Sequence, residues 1–285
     1  MAETSPFIVS ADWLQERLGT PGLSIIDGSW YLPAQNRDAW AEYEAGHIPG
    51  AVFFDHDTVV EPGTGLPHSL PHPGLFEQFA SSMGISDRDT IVVYDGPGFF
   101  SAPRVWWMFR VMGAGKVYVL DGGLDGWKRE GRPVTDKPTR VAGCVFTPKF
   151  DRGRVASFDE MMRIVEERSA QIADARPKGR FEGIDPEPRP GMRSGHMPGA
   201  FNVPALELAK DGKLLPISEL REKLEASGID LGKPVVTSCG SGITAAVITL
   251  ALESVGHSDN KLYDGSWSEW GGRQDTAVVT GKGGE

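Results

Sequence analysis

One segment carries residues suited to thiol chemistry at a spacing that can use them. Pro234-Val235-Val236-Thr237-Ser238-Cys239-Gly240-Ser241-Gly242-Ile243-Thr244-Ala245-Ala246 passes from an apolar β-branched run through a glycine-rich turn into a helical pattern. The order predicts a strand that delivers Cys239 into a tight loop. Gly240 and Gly242 free the backbone to curl around the sulfur. Amide N–H groups at the start of the following helix then face it and favour an anion there. Such a setting lowers a thiol pKa and makes the thiolate nucleophilic near neutrality. Most free cysteines are small core residues, but the Gly-Ser-Gly directly after Cys239 weighs against that reading. Cys144, between Gly143 and Val145, has no such surroundings and reads as structural or incidental.

The elements that must hold this loop are written twice. Ala45-Gly46-His47-Ile48-Pro49-Gly50-Ala51 returns as Ser194-Gly195-His196-Met197-Pro198-Gly199-Ala200. Val92-Val93-Tyr94-Asp95-Gly96 aligns with Val236-Thr237-Ser238-Cys239-Gly240, and Asp121-Gly122-Gly123 with Asp264-Gly265-Ser266. The order is kept and the spacing drifts slowly, as in a duplicated domain. Strands are predicted at 24–26, 90–94 and 117–120, with counterparts at 171–173, 235–237 and 261–263. Helical patterns occupy 103–112, 218–227 and 244–255. Strands alternating with helices give an α/β fold with a mainly parallel sheet in each unit, flanked by helices. Ligands of such sheets bind beyond the carboxyl ends of the strands. The polar, Pro-containing stretch 131–140 reads as a connection, and Ser157-Phe158-Asp159-Glu160 as a capping box opening a helix to about Arg168. The expected division is 1–135, a linker 136–154, and 155–285.

Composition removes other classes. The 285 residues include 29 Lys and Arg against 39 Asp and Glu, a net charge of −10, without the basic footprint of a nucleic-acid binder. The longest apolar run, Ala245 to Leu252, ends at Glu253 and is too short to span a bilayer, so no membrane partner is expected. Met1 to Pro6 lacks a basic and an apolar signal region. Two cysteines make no disulfide framework, which favours a reducing, cytoplasmic setting. Six scattered His give no metal-ligand spacing.

Two chemistries use a cysteine loop of this kind. A cysteine-dependent phosphatase needs an Arg six positions after the nucleophile, where Ala245 stands and can clamp nothing. Sulfur transfer needs only the thiolate and the amide cradle. The chain resembles the tandem-domain rhodanese-type sulfurtransferases, and within them the branch that uses 3-mercaptopyruvate. The resemblance rests on Cys239-Gly-Ser-Gly-Ile-Thr-Ala245, on 27–33 (Asp-Gly-Ser-Trp-Tyr-Leu-Pro), on 101–110 (Ser-Ala-Pro-Arg-Val-Trp-Trp-Met-Phe-Arg) and on 263–267 (Tyr-Asp-Gly-Ser-Trp). Thiosulfate-specific relatives carry basic residues directly after the Cys, where Gly240 and Ser241 stand here.

The resemblance implies two tandem rhodanese-like domains, the first inactive because Asp95 holds the cysteine position, and a site between them. It implies Arg180 and Arg189 as substrate-binding residues, suited to a carboxylate by their planar forks. Gly240, Gly242, Ile243 and Thr244 would complete the substrate loop. It also implies a Ser241–His68–Asp57 proton relay, with His72 as the alternative histidine. A His supplied by the first unit suits proton shuttling near neutrality. Cys239 would take the sulfur of 3-mercaptopyruvate as a persulfide, release pyruvate, and pass the sulfur to thioredoxin, a small thiol or cyanide, with no metal or organic cofactor.

His47 and His196 occur in both copies, one of which lacks the nucleophile, so they read as folding residues. Trp106, Trp107, Trp127 and Trp270 read as core and interdomain packing, and Asp174 with Arg176 as a structural pair. Two rivals stay open: a thiosulfate:cyanide sulfurtransferase, and a non-catalytic persulfide carrier.

Overall fold

The β-branched runs become strands, and each unit builds its own sheet. In the computed structural model, which describes residues 4–284, β1 (Ile8–Val9), β2 (Leu23–Asp27), β3 (Ala51–Phe53), β4 (Thr90–Tyr94) and β5 (Lys116–Leu120) form one sheet. Met1 to Glu3 and Glu285, part of the amino-terminal and second-unit readings above, lie outside the described residues. The second half supplies β6 (Val155–Ala156), β7 (Gln171–Asp174), β8 (Ala200–Asn202), β9 (Ala209–Lys210), β10 (Lys213–Leu214), β11 (Val235–Ser238) and β12 (Asn260–Tyr263). The sheet orders are β1-β5-β4-β2-β3 and β6-β12-β11-β7-β8, parallel throughout and identical in topology. The short edge strands β1, β3, β6 and β8 were not legible, because two or three residues show no period, and the antiparallel hairpin β9–β10 was missed although Asp211-Gly212 signals its turn.

Chain order reverses across the sheet between β4 and β2, and again between β11 and β7. That switch point opens a crevice at the carboxyl ends of the strands, and Cys239 follows β11 there. Between the two sheets lie the helices Ala102–Val111 and Ala245–Ser254, packed on one another. Both are buried nearly all round, including Trp106 and Trp107, as expected of helices with no polar face. One apolar cluster runs through both units across this contact. Trp127 and Trp270 instead pack inside their own units, away from the joint, where each indole N–H donates to a carbonyl, of Pro133 and of Ala277.

The repeated histidines have matching local tasks. His47 stacks on Tyr43 and its Nδ1 meets the Tyr43 carbonyl at 2.8 Å; His196 stacks on Phe181 and meets its carbonyl at 2.9 Å. Their backbones pair with Thr135 and Val279, fastening a later segment of each unit. Asp174 and Arg176 form a buried bidentate pair. The helix Phe158–Glu167 starts at Ser157, whose Oγ accepts the Glu160 N–H, but the Glu160 carboxylate pairs with Lys261 and does not close the box. The connecting segment is a strap on the first unit: Phe146 is buried against Phe76 and Phe109, and the Lys149 and Asp151 N–H groups donate to Met112 and Val111. Cys144 lies on that strap, partly exposed.

Candidate active site

Cys239 directly follows β11 and is 2% exposed. Its backbone N–H donates to Ser266 Oγ, its carbonyl accepts from Trp267, and the Gly240 carbonyl accepts from both the N–H and Oγ of Ser268. The loop is therefore tied to the turn after β12. Gly242 adopts a left-handed φ of 84° and donates its N–H to Cys239 Sγ at 3.1 Å. A Cβ there would meet the Asp264 carbonyl oxygen at 3.0 Å and Arg104 at 3.1 Å, so the position needs glycine on two counts.

The first unit displays what such a cradle does with an anion. Asp95, at the cysteine position, accepts N–H bonds from Gly98, Phe100, Ser101 and Ala102 at 2.6–2.9 Å. Its carboxylate fills its own loop. In the second unit a thiol replaces the carboxylate, one amide reaches the sulfur, and the loop faces open space.

That space is a cavity of about 300 Å³. Cys239, Gly240, Ser241, Ile243 and Thr244 line its floor, while Arg180 and Arg189 line one side. Trp30 and Phe100 of the first unit and the 204–207 turn of the second form other walls. Gly242, expected among the substrate contacts, does not line the cavity; its N–H faces the sulfur from behind. Burial lowers the Arg189 pKa, and the nearby charges of Cys239 and Asp57 oppose that shift. Arg180, on the helix Lys178–Phe181, is held 3.7 Å from Glu187. Glu187 also pairs with Arg176 at 2.8 Å, so the Asp174–Arg176 pair extends through it to the cavity.

Ser241, His68 and Asp57 come together from both units. His68 Nδ1 lies 2.9 Å from Ser241 Oγ, and Nε2 lies 3.0 Å from Asp57 Oδ1. Asp57 accepts the Nε2 proton, which leaves Nδ1 free to accept from Ser241. His68 is 4% exposed, and burial lowers its pKa against the opposing pull of Asp57. The same contact, ahead of the opposing effect of burial, lowers the Asp57 carboxyl pKa. His72 is elsewhere: it precedes the helix Pro73–Ser82 and pairs with Glu61. Neither His68 nor Asp57 lines the cavity, so Ser241 is the triad's face toward it.

Sequence reading assigned no task to Arg104, Asp264 or Glu187. Arg104 is fully buried and donates to the His68 carbonyl at 2.7 Å and to Asp264 at 2.6 Å. Asp264 in turn accepts the Leu70 N–H at 2.7 Å. Arg104 thus fastens the His68 segment of one unit to the Cys239 loop of the other, with Trp107 beneath its guanidinium. Its signal was present: a charged residue amid the apolar 102–109 stretch.

Comparisons with known proteins agree with this architecture. The family model for the rhodanese-like domain matches twice, over residues 10–130 and 157–273. The 3-mercaptopyruvate sulfurtransferase of Escherichia coli K12 is 42% identical over 276 residues, covering 96% of this chain and 98% of its own. The thiosulfate sulfurtransferase of Bos taurus is 41% identical over 288 residues, covering 98% and 97%. The crystal structure of SseA, a 3-mercaptopyruvate sulfotransferase of Escherichia coli, superimposes with a TM-score of 0.86 at 40% identity, covering 93% of this chain and 99% of that one. Two matched domains, one shared fold and identity along nearly the whole length place this chain in the rhodanese family, as a two-domain sulfurtransferase.

Proposed function

We propose that the protein transfers the sulfur of 3-mercaptopyruvate, through a persulfide on Cys239, to a thiol acceptor. The observation that carries this reading is the cavity itself, where a cysteine in an open amide loop faces two arginines and the hydroxyl of a Ser–His–Asp triad. Overall identity does not choose the donor, since the two relatives compared above carry both names at 42% and 41%. The choice rests on Gly240 and Ser241. Thiosulfate is a dianion without a carbon to protonate, and it would gain from cations at those two places. 3-Mercaptopyruvate is a monoanion whose departing carbon must receive a proton.

In the reaction, Arg180 and Arg189 hold the carboxylate and keto oxygens. As the Cys239 thiolate forms, its proton passes through Ser241 to neutral His68, and Asp57 stabilises the imidazolium. The thiolate attacks the donor sulfur, an S–S bond forms, and the C–S bond breaks with its electron pair on carbon. The resulting enolate of pyruvate takes the proton back from His68 through Ser241. Gly242 N–H and its neighbours hold the persulfide until a second thiolate attacks its outer sulfur. Residues 1–135 then act as the unit without a nucleophile, which lends His68 and Asp57 to the site, 136–154 as the connection and 155–285 as the unit that carries Cys239. Thioredoxin or a small thiol is the acceptor class this reading favours, in a reducing compartment such as the cytoplasm. Among the described residues no helix is long and apolar enough to cross a membrane.

The test is pyruvate release from 3-mercaptopyruvate with a thiol, run beside thiosulfate with cyanide. The reading expects the first to exceed the second clearly in kcat/KM; a reversed order would transfer the site to thiosulfate. A carrier would load one sulfur and turn over neither donor. Arg189→Lys keeps the charge and loses the fork, so KM for 3-mercaptopyruvate should rise by about 10-fold or more, in line with loss of ~1.5–3 kcal/mol for a charge-assisted pair. An unchanged KM would remove Arg189 from the donor site.

A further inference from the structure

Each unit sends an arm over the cysteine-position loop of the other. The arm of the first unit, residues 55–70, carries Asp57 and His68 and ends where the Leu70 N–H meets the Asp264 carboxylate. The arm of the second unit, residues 204–214, contains the β9–β10 hairpin, and it ends with Lys213 and Leu214 beside the Asp121 carboxylate, whose pKa burial raises while both neighbours lower it. Asp121 and Asp264 are repeat counterparts. His68 and Gly212 each stand two residues before those ends, with left-handed φ of 57° and 76°. His68 rests on Ser241; Gly212 rests on the Pro97-Gly98 corner, at the matching place in the first unit.

The second arm is held tightly at its tip. The Gly212 carbonyl accepts the Gly122 N–H at 2.9 Å. A Cβ on Gly212 would stand 2.5 Å from the Pro97 carbonyl oxygen, and one on Gly98 would strike the Gly212 carbonyl. At its base, the Ala205 N–H donates to the Ala175 carbonyl. Between these ties lies the 205–207 turn, which forms a wall of the cavity. Leu206 there is 70% exposed, and Glu207 pairs with the exposed Lys223. The turn is thus held by its ends and by Ala205 and the adjacent Leu208, both buried in the core, while the side chains of Leu206 and Glu207 add little. The loop on which the tip rests is stiffened in turn by the four amides gathered on Asp95.

We infer that Gly212 is a positioning residue for the donor site: seated on the Asp95 loop, it sets the 204–207 wall against which the donor binds. The first unit therefore serves the active site a second time, with the loop that lost its nucleophile. This rests on the donor reading given above and deepens it.

The experiment compares Gly212→Ala and Asp121→Ala with wild type, with folding checked by circular dichroism and thermal melting. The added Cβ of Gly212→Ala must push the tip off Pro97, and Asp121→Ala removes the carboxylate beside Lys213 and Leu214 at the end of the hairpin. KM for 3-mercaptopyruvate should rise about 3–10-fold with kcat within about twofold, the signature of lost ground-state and transition-state binding together. The rate at which iodoacetamide alkylates Cys239 without donor should stay as in wild type. A purely structural role would lower the melting temperature and leave KM unchanged. Unchanged KM in the folded variants overturns the inference; if Gly212→Ala does not fold, Asp121→Ala decides alone. Wild type inactive on 3-mercaptopyruvate would instead defeat the donor reading, so the two failures are distinct.

Discussion

Cys239→Ser should leave a folded protein with no measurable pyruvate release, a loss of about 10⁴-fold or more, as when other enzymes lose their nucleophile. The substitution changes one buried atom and keeps an acceptor for the Gly242 N–H, so stability should alter by about 1 kcal/mol or less. Chemistry is what it removes. A serine hydroxyl stays protonated near neutrality and cannot form a persulfide, whereas a thiol gives a useful fraction of thiolate. Intact mass after exposure to donor without acceptor separates this from a binding defect: wild type gains one sulfur and Cys239→Ser gains none. Cys144→Ser provides the control, because Cys144 lies on the strap over the first unit and does not line the cavity. Sulfur uptake surviving in Cys239→Ser, or vanishing in Cys144→Ser, would overturn the assignment. The first unit can offer no substitute nucleophile, since its cradle is filled by the Asp95 carboxylate.

The residues that could be read from the sequence are those whose signal is local. The strand at 90–94 coincides with β4, because five consecutive apolar or β-branched residues between polar turns leave little choice. The helices Ala102–Val111, Ile217–Ala226 and Ala245–Ser254 lie within a residue or so of their predicted limits for the same reason. The cysteine loop was legible as strand, glycines and helix. What lay hidden depends on pairing across the chain. The hairpin β9–β10 has two residues a side, too few to show a period, and the Asp211-Gly212 turn that joins them, both residues at left-handed φ, was a local hairpin signal that the sequence reading did not use. Arg104, Asp264 and Glu187 acquire their tasks only when the second unit folds over the first, through contacts about 160 residues apart in the Arg104–Asp264 case. Choosing His68 over His72 came from resemblance alone. Folding separates them physically: the backbone at His68 turns left-handed and drives the ring between the units, while His72 stays outside before a helix.

His68→Ala should lower kcat/KM for 3-mercaptopyruvate by about 10²–10⁴-fold, the range for loss of a positioned acid–base group. The persulfide half-reaction with a donor that needs no carbon protonation, such as thiosulfate, should suffer less, losing only what His68 contributes by taking the Cys239 proton. That difference identifies the step, because only the enolate of pyruvate must recover a proton at carbon. The pH profile adds a second, independent readout. Burial lowers the His68 pKa below its ordinary 6.5, with Asp57 pulling the other way. Neutral imidazole is the working form, so kcat/KM should fall on the acid side, with the limb below pH 6.5, and be flat toward neutrality. Asp57→Asn removes the group that raises the His68 pKa, so the limb should move further toward acid while the maximum rate drops. The drop follows because asparagine no longer favours the tautomer with a proton on Nε2 and an open Nδ1. Asp57 is largely exposed at its carboxylate, so water partly replaces it, and a loss smaller than that of His68→Ala is expected. If the acid limb of Asp57→Asn moved toward neutral pH, His68 would not be the titrating group; equal falls of thiosulfate and 3-mercaptopyruvate turnover in His68→Ala would confine His68 to forming the Cys239 thiolate, and proton delivery to carbon would need another source.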